Sequence, residues 1–198
     1  MQDIKFPVQF KFKVTSLAND FTATDANGHT IAYVRSKLFK FVEDIEIFSD
    51  ETKSKVLYTI KADQWLDFSA AYSFYDDMDT NFGKVVRKGW RSLWKAKYQI
   101  IDEHEKEQYT IEEESAWVRV LDSLLGEIPF ISFFTGYLFN PKYNVKDELG
   151  NPIIKLTKKP SFLGKSFELT KEGNLDSDDD DRVMLALMMM ILLERRRG

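Results

Sequence analysis

Val183-Met184-Leu185-Ala186-Leu187-Met188-Met189-Met190-Ile191-Leu192-Leu193 is an apolar run without a polar residue in it. Ala, Leu and Met are good helix formers. A helix over this run is about 16 Å long, roughly half the hydrocarbon thickness of a bilayer, so it is too short to span one. It is also apolar on every face, and no side of it meets water favourably. Such a helix has to be surrounded by protein. In a chain otherwise built of strands, the simplest enclosure is a closed barrel with the helix threading its centre. The three consecutive methionines suit that place, because Met fills irregular gaps.

The flanks agree. Asp178 to Asp181 precede the run and Arg195 to Arg197 follow it, so acid lies at the positive end of the helix and base at the negative end. Both ends would then sit in water at the barrel mouths, with the core helix at residues 179–197. The acidic run reads as a solvated cap. Calcium is the alternative, since it takes closely spaced oxygens, although no EF-hand spacing is present.

Upstream, the sequence reads as strands. Ile4, Phe6, Val8, Phe10, Phe12 and Val14 alternate with polar residues, the period of a half-buried strand rather than of a targeting segment. Pro7 cannot donate a ladder hydrogen bond, so this strand starts late or lies at an edge. Further strands are predicted at residues 30–35, 45–48, 56–61, 69–75, 94–100, 109–113, 152–156 and 166–170. Short strands at spacings of about 8–12 residues with turn residues between them indicate a sandwich or barrel. A weak repeat supports this: Gly28, Gly83 and Gly150 each open a unit of turn glycine, strand, basic bend and strand. One segment departs from the pattern. Trp117, Val120, Leu121, Leu124 and Leu125 fall on one helical face, which predicts a short helix near residues 116–125, capped by Ser115 and ended by Gly126 and Pro129. The apolar stretch from Ile128 to Phe139 reads as a packed connection.

Composition bounds function. The 198 residues carry 28 Lys and Arg against 32 Asp and Glu, a net charge of −4, and 43% are apolar. This is a globular chain, expected to form a single domain over residues 1–198, and a poor nucleic-acid binder for want of a positive field. It has no Cys, which excludes disulfides, thiol catalysis and Cys-ligated metals.

Three stretches, taken in order with the terminal helix, resemble a known family. They run from Gly83-Lys84-Val85-Val86-Arg87-Lys88-Gly89-Trp90-Arg91-Ser92-Leu93-Trp94-Lys95-Ala96-Lys97-Tyr98, through Gly136-Tyr137-Leu138-Phe139-Asn140-Pro141-Lys142-Tyr143, to Lys158-Lys159-Pro160-Ser161-Phe162-Leu163-Gly164-Lys165-Ser166-Phe167-Glu168-Leu169. The chain is similar over residues 28–198 to the LURP-one-related family of the tubby C-terminal-like superfamily, which includes the phospholipid scramblases. The resemblance implies a closed barrel of about twelve antiparallel strands around a central hydrophobic helix. Tubby domains bind phosphoinositides and scramblases are linked to lipid movement. No binding residue of theirs is carried over onto this chain, and the absence of a membrane span counts against scramblase activity.

The candidate lipid-binding residues are Lys84, Arg87, Lys88, Arg91, Lys95 and Lys97, a basic segment with Trp90 and Trp94 between. Such a segment can meet phosphate headgroups while Trp seats at the interface. The bland reading is a set of outward lysines that discourage edge pairing. A second basic run holds Lys155, Lys158, Lys159 and Lys165. For catalysis there is little: His29 and His104 read as surface residues, no nucleophile-elbow, zinc-protease or phosphate-loop pattern occurs, and Glu112-Glu113-Glu114 reads as a solvated strand end. The expectation is therefore a non-enzymatic, cofactor-free module for anionic phospholipid headgroups, located in the cytoplasm and peripheral at a membrane. A protein-interaction scaffold is the runner-up and a carboxylate-based hydrolase a distant third.

Overall fold

The computed structural model describes residues 4–13, 20–36, 44–63, 71–88, 97–114, 142–159, 166–175 and 177–195. Twelve strands follow one another: β1 (Val8–Phe12), β2 (Phe21–Thr24), β3 (Thr30–Ser36), β4 (Asp44–Phe48), β5 (Val56–Ala62), β6 (Ala71–Tyr75), β7 (Asn81–Lys88), β8 (Lys97–Ile101), β9 (Glu107–Glu113), β10 (Lys142–Lys146), β11 (Pro152–Lys159) and β12 (Ser166–Lys171). A single helix among the described residues, α1 (Ser177–Arg195), ends the order. Each strand pairs antiparallel with its neighbours in sequence, and β1 pairs with β12 through Val8 opposite Leu169 and Phe10 opposite Phe167. That last pairing closes the barrel and leaves no edge, so β1 begins after Pro7 but is not an edge strand.

Alternation directs one set of side chains inward. Phe10, Phe21, Val34, Ile47, Ile60, Phe74, Val85, Ile100, Ile111, Val145, Ile154 and Leu169 come from successive strands and are each 2% exposed or less. They surround α1, whose residues from Val183 to Leu192 are at most 3% exposed. The apolar run is the axis of the core, as its length and composition require.

Two strands escape the sequence reading. Strand β2 has four residues, too few to display alternation, and β10 offers only Tyr143 and Val145 as apolar inward positions just after Asn140-Pro141. The short helix expected near 116–125, and the connection from Ile128 to Phe139, lie outside the described residues.

The hairpins at one mouth share a turn. Asp25, Asp50, Asp76, Asp102 and Asp147 open it. The Oδ1 of Asp76 accepts the amides of Met78 at 3.0 Å and Thr80 at 2.8 Å, and that of Asp102 accepts those of His104 at 2.9 Å and Lys106 at 2.8 Å. The fourth residue takes positive φ: Gly28 at 81°, Lys53 at 59°, Asp79 at 61°, Glu105 at 63° and Gly150 at 85°. A bulge beside each turn completes the pattern. The internal repeat is therefore real but differently placed. Gly83 is not a turn glycine; it lies inside β7, and the position equivalent to Gly28 is Asp79.

Candidate functional site

The segment Lys84 to Lys97 starts on β7 and finishes on β8. Residues Arg91 and Lys95, with Trp90 and Trp94, lie outside the described residues. The other four candidates point in two directions. Val85 and Tyr98 face the core, so parity puts Lys84, Lys88 and Lys97 on the outer surface and Arg87, opposite Tyr98, on the inner one. The Arg87 Nε is buried and finds no hydrogen-bond partner among the described residues. Lys84 is bound at 2.7 Å to Glu105. Lys88 and Lys97 are exposed and stand directly opposite each other in the ladder.

The second basic run is divided in the same way. Lys155 pairs with Glu114 at 3.2 Å and Lys159 with Glu168 at 2.6 Å, both on the outer face. Lys158 shares the face of Leu156, opposite Phe167, and Lys165 lies outside the described residues. Across β8, β9 and β10 runs a ladder of alternating sign: Glu112 is 3.1 Å from Lys97 and 3.1 Å from Lys146. The Lys146 ammonium, with that of Lys97, outweighs burial and holds the Glu112 carboxyl below its ordinary value.

The three consecutive glutamates are not a solvated strand end. Glu112 and Glu114 face out, and each binds lysine. Glu113 is 1% exposed and stands opposite Tyr143 on the inner wall. The two histidine side chains are surface groups, 78% exposed at His29 and 83% at His104.

The mouth at the start of α1 also differs from a solvated cap. Tyr109 donates to the Oδ2 of Asp179 at 2.6 Å, and Tyr58 donates to Asp181. Arg182 is 6% exposed. Its Nε donates to the Phe82 carbonyl at 2.8 Å, Nη1 to Asp179 at 2.7 Å and also to Gln108, and Nη2 to Glu103 at 2.7 Å. Arg182 thus anchors the N-terminal part of α1 to β7, β9 and the turn after β8. Gly83 makes room for it: a Cβ there would lie 2.8 Å from the Arg182 Nε and 2.5 Å from the Ile101 carbonyl oxygen. Sequence reasoning missed this pair. Its signal was a single arginine between an acidic and an apolar run, too common to stand out.

Burial pushes the Asp180 carboxyl up, with Asp181 and Asp179 adding to the effect against Lys171. Among the described residues no cluster of three or more His, Asp or Glu is arranged to hold a metal ion. A shallow groove of about 310 Å³ lies beside this mouth, lined by Gln108, Thr110 and Asp147 and bridged by Lys106 and Glu148, 2.7 Å apart. Lys106 and Glu148 are thus paired with each other, while Asp147 and Glu107 accept from the side-chain amides of Asn151 and Gln99.

No helix among the described residues is long and apolar enough to cross a membrane. Comparison with models of protein families, with curated proteins and with solved structures finds no match. Fold and side chains together define a closed antiparallel barrel plugged by its own C-terminal helix, with charge-paired outer faces and a facing lysine pair at one rim.

Proposed function

We propose that the protein is a non-enzymatic binding module for anionic phospholipid headgroups, acting at a membrane surface. The observation that supports this reading is the cross-strand pair Lys88 and Lys97. Like charges directly opposite on a ladder destabilise a sheet, and among the described residues no packing contact of the exposed rim requires them there. A phosphate between the two ammonium groups would turn the repulsion into attraction. Glu112 offsets only one of them, at 3.1 Å from Lys97. The resemblance to a superfamily with lipid-binding members points the same way, and residues 89–96, which join the two strands, contain Trp90, Arg91, Trp94 and Lys95.

Co-sedimentation with vesicles tests this. Vesicles of phosphatidylcholine mixed with phosphatidylserine or a phosphoinositide should carry the protein down at low salt, and phosphatidylcholine alone should not. Replacing Lys88 and Lys97 together by Gln removes about 2 kcal/mol of attraction, roughly a thirtyfold loss of affinity. A wild type that ignores anionic vesicles at low salt sinks the reading. The runner-up, a protein-interaction scaffold, has its foothold in Met78 and Leu149, which project from turns at 84% and 87% exposure.

A further inference from the structure

Charge is divided unevenly along the barrel axis. The five hairpin turns, residues 25–29, 49–55, 76–80, 102–106 and 147–151, lie at one mouth because up-and-down topology returns alternate connections to the same end. The bonds from Arg182 and Tyr109 bring the start of α1 to that mouth. Residues 4–7 join that mouth through the bond from the Ala26 amide to the Lys5 carbonyl. With them and residues 172–175 and 177–182, these turns hold 16 aspartates and glutamates and 5 lysines and arginines, and the other described residues hold 10 and 15. Among the described residues one pole therefore has an excess of 11 negative charges and the remainder an excess of 5 positive charges. Exposed Lys88, Lys97 and Lys142 stand at the strand ends of the opposite mouth.

We propose that the protein docks end-on, with the mouth around the end of α1 against an anionic bilayer and the acidic turns facing water. This inference rests on the lipid reading above and adds the orientation of the bound state. Magnitudes favour it over docking on a side. A strand of eight residues such as β7 or β11, tilted as barrel strands are, separates the two mouths by about 20 Å. The Debye length at physiological ionic strength is about 8 Å. End-on, the acidic pole lies more than two screening lengths from the lipid phosphates and is scarcely repelled. Side-on, many of its carboxylates come within one screening length, and their repulsion opposes the attraction of the lysines.

The absence of Cys makes the test direct, because single cysteines can be labelled without background. Met78→Cys marks the tip of an acidic turn, and Ser166→Cys, a near-isosteric change at the start of β12, marks the opposite rim. Each carries an environment-sensitive fluorophore, and equal melting temperatures confirm that both variants keep the fold. On vesicles of equal parts phosphatidylcholine and phosphatidylserine, the probe at 166 should shift to the blue, be quenched by brominated acyl chains and lose its accessibility to iodide. The probe at 78 should keep its solution spectrum and its iodide quenching. Equal responses at the two positions, or shielding at 78 alone, overturn end-on docking while sedimentation of the labelled proteins still upholds lipid binding. Failure to sediment removes both claims.

Discussion

Replacing Gly83 by Ala should be far more damaging than the same change at Gly28 or Gly150. All three glycines have positive φ, at 135°, 81° and 85°. An alanine at any of them incurs backbone strain of about 1–2 kcal/mol. At Gly28 and Gly150 nothing lies within 4 Å of the added carbon, so strain is the whole effect. At Gly83 the methyl would sit 2.5 Å from the Ile101 carbonyl oxygen and 2.8 Å from the Arg182 Nε. The first contact is backbone in a closed ladder, so β7 and β8 must part locally. The second displaces a guanidinium that is 6% exposed and holds Asp179 and Glu103. Breaking such a buried pairing costs about 3–5 kcal/mol. Gly83→Ala is therefore expected to lose about 4–7 kcal/mol, and the other two variants about 1–2 kcal/mol. In a domain this size each kcal/mol moves the melting point by about 2–4 °C, so the predicted separation is about 10 °C. Urea midpoints and thermal melts of the three variants measure it. A double-mutant cycle with Arg182→Ala should show strong coupling to Gly83 and none to Gly150. Equal losses at Gly83 and Gly28 would refute the claim that β7 makes way for Arg182.

The helix and the acidic turns yield further expectations. Leu187→Asp places a charge among fully buried methionines and leucines and should cost several kcal/mol, enough to lose soluble protein, whereas Met78→Asp at an exposed turn tip should stay within about 0.5 kcal/mol; similar melts for the two would move α1 out of the core. Stability should also fall in acid. The Thr52 hydroxyl and amide hold Asp50 below its ordinary value, the Asn151 side chain with turn amides does so for Asp147, and at Asp102 burial is outweighed by the amides of Lys106 and His104. Depressed carboxyls stabilise the fold above their unfolded value near pH 4 and lose that contribution as pH falls through the folded value, so denaturant midpoints should drop between about pH 5 and pH 2. A midpoint that stays level over that range would contradict the assigned turn bonds. Asp180 runs the other way, because burial raises its carboxyl above the ordinary value and its charge opposes folding at neutral pH. Asp180→Asn should therefore raise the midpoint at pH 7 and leave it unchanged in strong acid.

The sequence by itself determined the barrel and its axis. An apolar run as short as Val183 to Leu193 can be satisfied neither by water nor by a bilayer, and alternating strands are what remained to enclose it. Alternation also located most strands, because the period of two is local and survives in any context. Tertiary structure decided whatever depends on residues distant in sequence. Closure rests on β1 meeting β12, with Val8 opposite Leu169, and no local pattern carries that pairing. Parity turned Arg87 and Glu113 inward, while Lys88 met Lys97 only through the register of β7 on β8. The turn repeat was legible only in part, and misplaced at Gly83, because Lys53, Asp79 and Glu105 take the positive φ that a reading of turns assigns to glycine. Gly83 was legible as a glycine but not as the gap for Arg182, since that fit is a distance between residues far apart in the chain, set only when the helix enters the barrel.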